Sequence, residues 1–232
     1  LPRNGIFGQI DITAITNQKG GVGKTTTTAN LGIGLAKQGK KVLLVDCDPQ
    51  GNATSGAGIP KKTLKLTIND VLTAEVPMED VVIETEFENL DLIPTNIALA
   101  GAEFELFQHE NSEYRMKEAL QPILEDYDYI IIDCPPSLGM LTVNAMAASD
   151  GVVIPMQCEF YALEGLSQLM ITVGRIKSHY NNKLTVTGIL ITMYNQRLLL
   201  SQQVMSELRR HYADKQTASL PSSYLPLHNQ EE

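Results

Sequence analysis

The sequence predicts a single α/β domain, a mostly parallel central sheet with helices on both faces, and three observations carry that expectation. The runs Val42-Leu43-Leu44-Val45 and Tyr129-Ile130-Ile131-Ile132 are apolar without alternation, and each ends in an aspartate, Asp46 and Asp133. Parallel strands covered on both faces read this way. Such runs alternate along the chain with stretches of helical period, the order that builds parallel sheets. Residues 11–28, finally, pass from an alternating strand through a glycine loop into a helix. At 232 residues and 43% hydrophobic content the chain can bury one full core.

In chain order, residues 1–10 read as an N-terminal extension, 11–215 as the domain and 216–232 as an irregular tail without periodicity. Leu1 in place of Met reads as a fragment or processed form, and the start lacks the apolar core of a signal peptide. No apolar run approaches the roughly 20 residues that span a bilayer.

The loop Lys19-Gly20-Gly21-Val22-Gly23-Lys24-Thr25-Thr26 reads as a triphosphate cradle. Gly20, Gly21 and Gly23 allow backbone angles and close approaches that a Cβ would block, so successive N–H groups, Val22 included, can turn around an anion. The following helix adds its positive end. Lys24 is placed to reach the β and γ phosphates and the Thr25 hydroxyl to ligate Mg²⁺, as in a P-loop. Gln18 stands where the pattern has its first glycine, and Lys19 is an added cation suited to a phosphate on a facing subunit. A dinucleotide fingerprint is the rival reading, with Gly21-x-Gly23 and Asp46 downstream, but Thr26 holds the third glycine position and Lys24-Thr25 would have no task. A glycine turn with no ligand leaves four threonines opening a helix without reason.

Residues 25–38 form the next helix, closed by Gly39, and 41–46 a buried strand. Asp46 at its tip would sit near the Mg²⁺ shell. Asp48, further into the loop, either orients an attacking water or simply belongs to the turn Asp48-Pro49-Gln50-Gly51. Between 56 and 125 we expect short helices at 68–73, 98–107 and 112–124 and strands at 81–84 and 90–94, with His109 on the surface. Strand 129–133 ends in Asp133, a second Mg²⁺-holding carboxylate. Cys134-Pro135-Pro136 then forms a stiff loop near the γ phosphate, with Pro135 beside the nucleotide. Strand 151–155, helix 160–179, strand 186–193 and an amphipathic helix through Leu200, Val204, Leu208 and Tyr212 follow. Arg209 and Arg210 on that helix are either its solvated side or a contact to a phosphate backbone.

The net charge of -9 argues against a protein that coats nucleic acid all round, yet the charge is uneven. Residues 69–128 hold 16 Asp and Glu against Arg115 and Lys117, whereas 171–215 hold seven basic residues against two acidic ones. Cys47, Cys134 and Cys158 have no zinc or disulfide spacing and fit buried hydrophobes in a reducing cytoplasm.

With residues 19–26 (KGGVGKTT), 45–54 (VDCDPQGNAT), 130–139 (IIIDCPPSLG), 157–169 (QCEFYALEGLSQL) and 190–194 (LITMY), the chain resembles the ParA and Soj partitioning ATPases over about residues 11–215. The first motif alone is shared by the wider deviant Walker A class, with MinD and the nitrogenase iron protein. The resemblance implies that Lys19 is the signature lysine reaching a partner's nucleotide, that Asp48 is needed for hydrolysis, and that Asp133 is the Walker B carboxylate. It also implies slow, partner-stimulated hydrolysis of ATP with Mg²⁺, a homodimer when ATP is bound, nonspecific double-stranded DNA binding on the nucleoid, and a ParB-type centromere-binding partner. Arg197 best matches a family DNA-binding arginine. Soj-like chains continue with a strand, a proline-containing loop beside the adenine and a closing helix, which the tail does not display, so a truncated or frameshifted member with impaired nucleotide and DNA binding is an alternative. A MinD-like positioning ATPase would need a lipid-binding helix, and none is evident, so no stable membrane association is expected. A cluster carrier would need a companion for Cys134.

Overall fold

The computed structural model describes residues 10–212 and the backbone of 217–221. Among these residues eight strands form one sheet: β1 (Asp11–Ile15), β2 (Val42–Asp46), β3 (Ile83–Glu84), β4 (Leu90–Ile93), β5 (Tyr129–Asp133), β6 (Gly151–Gln157), β7 (Thr185–Tyr194) and β8 (Thr217–Pro221). Their order is β3-β4-β2-β5-β1-β6-β7-β8, and every pairing is parallel except β3 with β4. Around it lie α1 (Lys24–Ala36), α2 (Asn52–Gly56), α3 (Ile68–Ala74), α4 (Leu99–Leu106), α5 (Arg115–Leu120), α6 (Met140–Ala148), α7 (Ala162–His179) and α8 (Leu199–Tyr212).

The unbroken apolar strands have the predicted cause. Along β2, Val42 and Leu44 pack toward Ala36 and Ile33 of α1, while Leu43 and Val45 join a cluster with Leu72, Leu106, Met116 and Leu141 on the other face. Alternate side chains of a strand serve opposite faces, so both sets must be apolar when both faces are covered. The α1 face is tight: a Cβ at Gly32 would lie 2.7 Å from Leu44 Cδ2. A third cluster joins β6 and β7 to α7 and α8 through Val152, Ile154, Leu169, Ile191 and Leu208.

Three expectations change. The helix foreseen over 112–124 is broken into a 3₁₀ turn at Ser112–Tyr114, α5, and a 3₁₀ segment at Gln121–Asp126, because Pro122 has no N–H to give and its ring crowds the preceding turn. Helix α6, unforeseen, has seven of nine residues buried, so it lacks the polar face that makes a helical period visible. The irregular tail is corrected at Thr217–Pro221, which runs parallel to β7 as an edge strand. Edge pairing uses backbone groups and needs no side-chain period. Residues 1–9, 213–216 and 222–232 lie outside the described residues. Among the described residues no helix is long and apolar enough to cross a membrane.

The register positions the site. Ile15 lies opposite Asp133, and Asp133 opposite Asp46. The strand that feeds the glycine loop and both acidic tips therefore end at one level, at the carboxyl edge where open α/β sheets bind ligands.

Candidate functional site

The glycine loop is shaped for an anion. Gly21 (φ 73°) and Gly23 (φ 88°) occupy the left-handed region, which a Cβ disfavours. Gly23 is the N-cap of α1, and no side chain caps that end. The first N–H groups of a 13-residue helix thus stay free beside its positive pole. Lys24 is only 7% exposed, and its Nζ crosses the loop to donate to the Lys19 carbonyl at 3.1 Å. Burial pulls its ammonium pKa down, while Asp133, Asp48 and Cys134 oppose that pull. A buried cation whose one side-chain hydrogen bond among the described residues goes to a carbonyl is poised for an anionic ligand.

Asp133 faces it from β5. The Thr28 hydroxyl lies 3.2 Å from Asp133 Oδ1, whereas Oδ2 is buried with no hydrogen-bond partner among the described residues. Burial pushes this carboxyl up to about 7, against the hydroxyls of Thr25 and Thr28. An orphaned buried oxygen is costly, and a hard divalent cation is the kind of group that completes it. The Thr25 hydroxyl and Asp133 therefore fit Mg²⁺.

Asp46 is held differently. Its Oδ2 accepts the Thr54 N–H and hydroxyl, both at 2.7 Å, and its Oδ1 accepts the Asp48 N–H at 3.3 Å. This carboxylate anchors the loop after β2 to α2, and its oxygens are already engaged. Asp48 is 8% exposed and accepts the Gln50 N–H at 3.0 Å, so it serves its turn and also lies near enough to Lys24 to act on its charge. Pro135 follows Asp133 by two residues in a loop tied by the Thr142 hydroxyl to the Ser137 carbonyl at 2.8 Å. Lys19, half exposed, is paired with Glu159 of its own chain.

The three arginines are not gathered. Arg197 lies in the turn after β7, whereas Arg209 and Arg210 lie in the last turn of α8, all exposed. Roughly 15 to 20 Å of helix separates them at 1.5 Å per residue. The late pair also suits the negative end of that helix.

Sequence reasoning missed Thr54, Glu159, Gln157 and Thr192. The Gln157 amide donates to the Gly21 carbonyl at 2.8 Å and the Thr192 hydroxyl to the Val22 carbonyl at 2.8 Å. Beside the loop, a cavity of about 300 Å³ is lined by Gln18, Lys19, Gln157, Tyr161 and Gly165. A larger one, about 740 Å³, lies at the other ends of the strands near Ile12 and Asp150, away from the two acidic tips.

The profile of the AAA domain family matches residues 10–186. The sporulation initiation inhibitor protein Soj of Bacillus subtilis is 56% identical over 204 residues, 88% of this chain and 81% of that protein. The chromosome partitioning protein ParA of Caulobacter vibrioides is 50% identical over 206 residues, 88% of this chain and 77% of that one. Among solved structures, cobyrinic acid a,c-diamide synthase from Mycobacterium smegmatis with a bound ATP analogue and magnesium superposes with a TM-score of 0.82. It shows 40% identity, with 88% of this chain and 83% of that chain covered.

Proposed function

Because this chain belongs to the family of Soj and ParA chromosome-partitioning ATPases, we propose that it is an ATP-driven partitioning switch. ATP binding closes a homodimer, the dimer holds double-stranded DNA without sequence preference, and hydrolysis to ADP and phosphate, slow until a ParB-type partner stimulates it, releases both. The observation that carries the ATPase reading is the orphaned buried oxygen of Asp133 beside Lys24, at the uncapped start of α1. It is supported by the magnesium and ATP analogue bound in a 40% identical structure.

Each residue has a task in this reading. The N–H groups of residues 20–26 and Lys24 would hold the phosphates, and Thr25 and Asp133 would hold Mg²⁺, which would supply positive charge against the negative charge on the phosphoryl oxygens. Asp46, its oxygens engaged, keeps Asp48 in place from behind rather than ligating directly. Asp48 orients the attacking water. Lys19 must leave Glu159 to reach a partner's phosphate, so closing the dimer exchanges an exposed ion pair, worth little in itself, for a desolvated one. Arg197, Arg209 and Arg210 would meet DNA phosphates along one edge. We place the protein in the cytoplasm, on the nucleoid.

The test is retention on nonspecific duplex DNA with ATP, with ADP and without nucleotide, at two salt concentrations. Retention with ATP alone, falling as salt rises because phosphate contacts release counterions, is expected, and Lys19→Gln should abolish it. Equal retention in all three nucleotide states would remove DNA from the cycle.

A further inference from the structure

We propose that Gln157 and Thr192, at the tips of β6 and β7, are positioning residues that aim the phosphate-binding N–H groups of the loop; the proposal rests on the ATP reading above. The Gln157 amide donates to the Gly21 carbonyl, and the buried Thr192 hydroxyl donates to the Val22 carbonyl, each at 2.8 Å. In a trans peptide the C=O and the following N–H point in opposite directions. Holding the carbonyls of Gly21 and Val22 from outside therefore turns the N–H groups of Val22 and Gly23 toward the cradle.

The two holders are themselves fixed. The Gln157 Nε2 also lies 2.9 Å from Met193 Sδ, and Met193 takes a positive φ of 53° between Thr192 and the turn that follows. An unbranched non-glycine residue in that region stores backbone strain, which persists only when its surroundings impose it. Thr192 Cγ2 lies 3.4 Å from where a Cβ on Gly23 would sit. The same side chain thus fixes one loop peptide and packs against the next residue. Partners 136 and 170 residues away shape the cradle, not the loop sequence alone.

The test is Mg·ATP affinity by titration calorimetry, with thermal midpoints of the nucleotide-free proteins, for the parent, Thr192→Val, Thr192→Ser, Gln157→Leu and the core control Ile191→Val. Thr192→Val should bind about fivefold more weakly, as for one lost hydrogen bond, with Thr192→Ser restoring affinity. Gln157→Leu should lose a similar factor at an unchanged midpoint. Ile191→Val should lower the midpoint and leave affinity alone. Parent-like affinity in Thr192→Val, or in Gln157→Leu if the threonine variant does not fold, overturns the positioning role while the ATP reading stands. Affinity losses in Ile191→Val equal to those of Thr192→Val overturn it too, as a general packing effect. A parent that does not bind Mg·ATP overturns both.

Discussion

The tips of β2 and β5 are near-copies in sequence and neighbours in the sheet, Asp46 opposite Asp133, yet the two carboxylates are held in opposite ways. Asp46 takes three hydrogen bonds from the segment that follows it, two from Thr54 in α2 and one from the N–H two residues on, at Asp48. The residue two beyond Asp133 is Pro135, which has no N–H. Asp133 is left with one oxygen unmatched among the described residues. Both are buried, and burial raises both, to about 6 for Asp46 and about 7 for Asp133, opposed by the bonds from Thr54 and Asp48 at the first and by the hydroxyls of Thr25 and Thr28 at the second. An acidic strand tip is thus a structural anchor or an open ligand position according to the donors its next few residues supply.

The largest expected effect separates the two tips by function. Asp133→Asn should cut Mg²⁺-dependent hydrolysis by at least about 10²-fold, since even outer-shell partners of a metal cost roughly 10–100-fold, while raising the thermal midpoint without nucleotide. Unimpaired turnover would make the tips equivalent. Asp46→Ala should do the reverse: it orphans the buried donors of Thr54 and Asp48 and should lower the unfolding free energy by roughly 2–4 kcal/mol, read by denaturant titration. Pro135→Ala gives the second loop the donor it lacks and should raise the Mg²⁺ concentration for half-maximal hydrolysis about fivefold, the worth of one hydrogen bond. The last comparison is in pH. Both carboxyls titrate above their unfolded value of 3.8, so between about pH 4 and 7 the folded chain holds more protons and its stability falls as pH rises. Comparing thermal midpoints of the nucleotide-free parent and Asp133→Asn, the parent should lose more between pH 5 and pH 8. Parallel curves would place the Asp133 carboxyl in the ordinary range.

The sheet's centre was legible in the sequence because burial on both faces writes itself into unbroken apolar runs, and the cradle because glycine, lysine and threonine at fixed spacing have few other uses. What stayed hidden has physical causes. Helix α6 is surrounded by protein and shows no polar side, and β8 joins an edge through its backbone. Thr192 and Gln157 act on carbonyls more than 130 residues away, which leaves no local pattern. The pairing of Lys19 with Glu159 was equally invisible, since the sequence places a cation without saying what it meets first.

The strand order has one more consequence. The acidic stretch 69–128 contains β3 and β4, at one margin of the sheet, and the basic stretch after residue 171 contains β7 and α8, toward the other. Among the described residues the charge is therefore unevenly spread across the strands, in addition to the chain's net charge of -9. Near a polyanion the net charge repels, but the field itself also exerts a torque on such an uneven distribution, felt within a screening length of about 8–10 Å. A polyanion close enough to be felt would therefore turn the basic margin toward itself before contact.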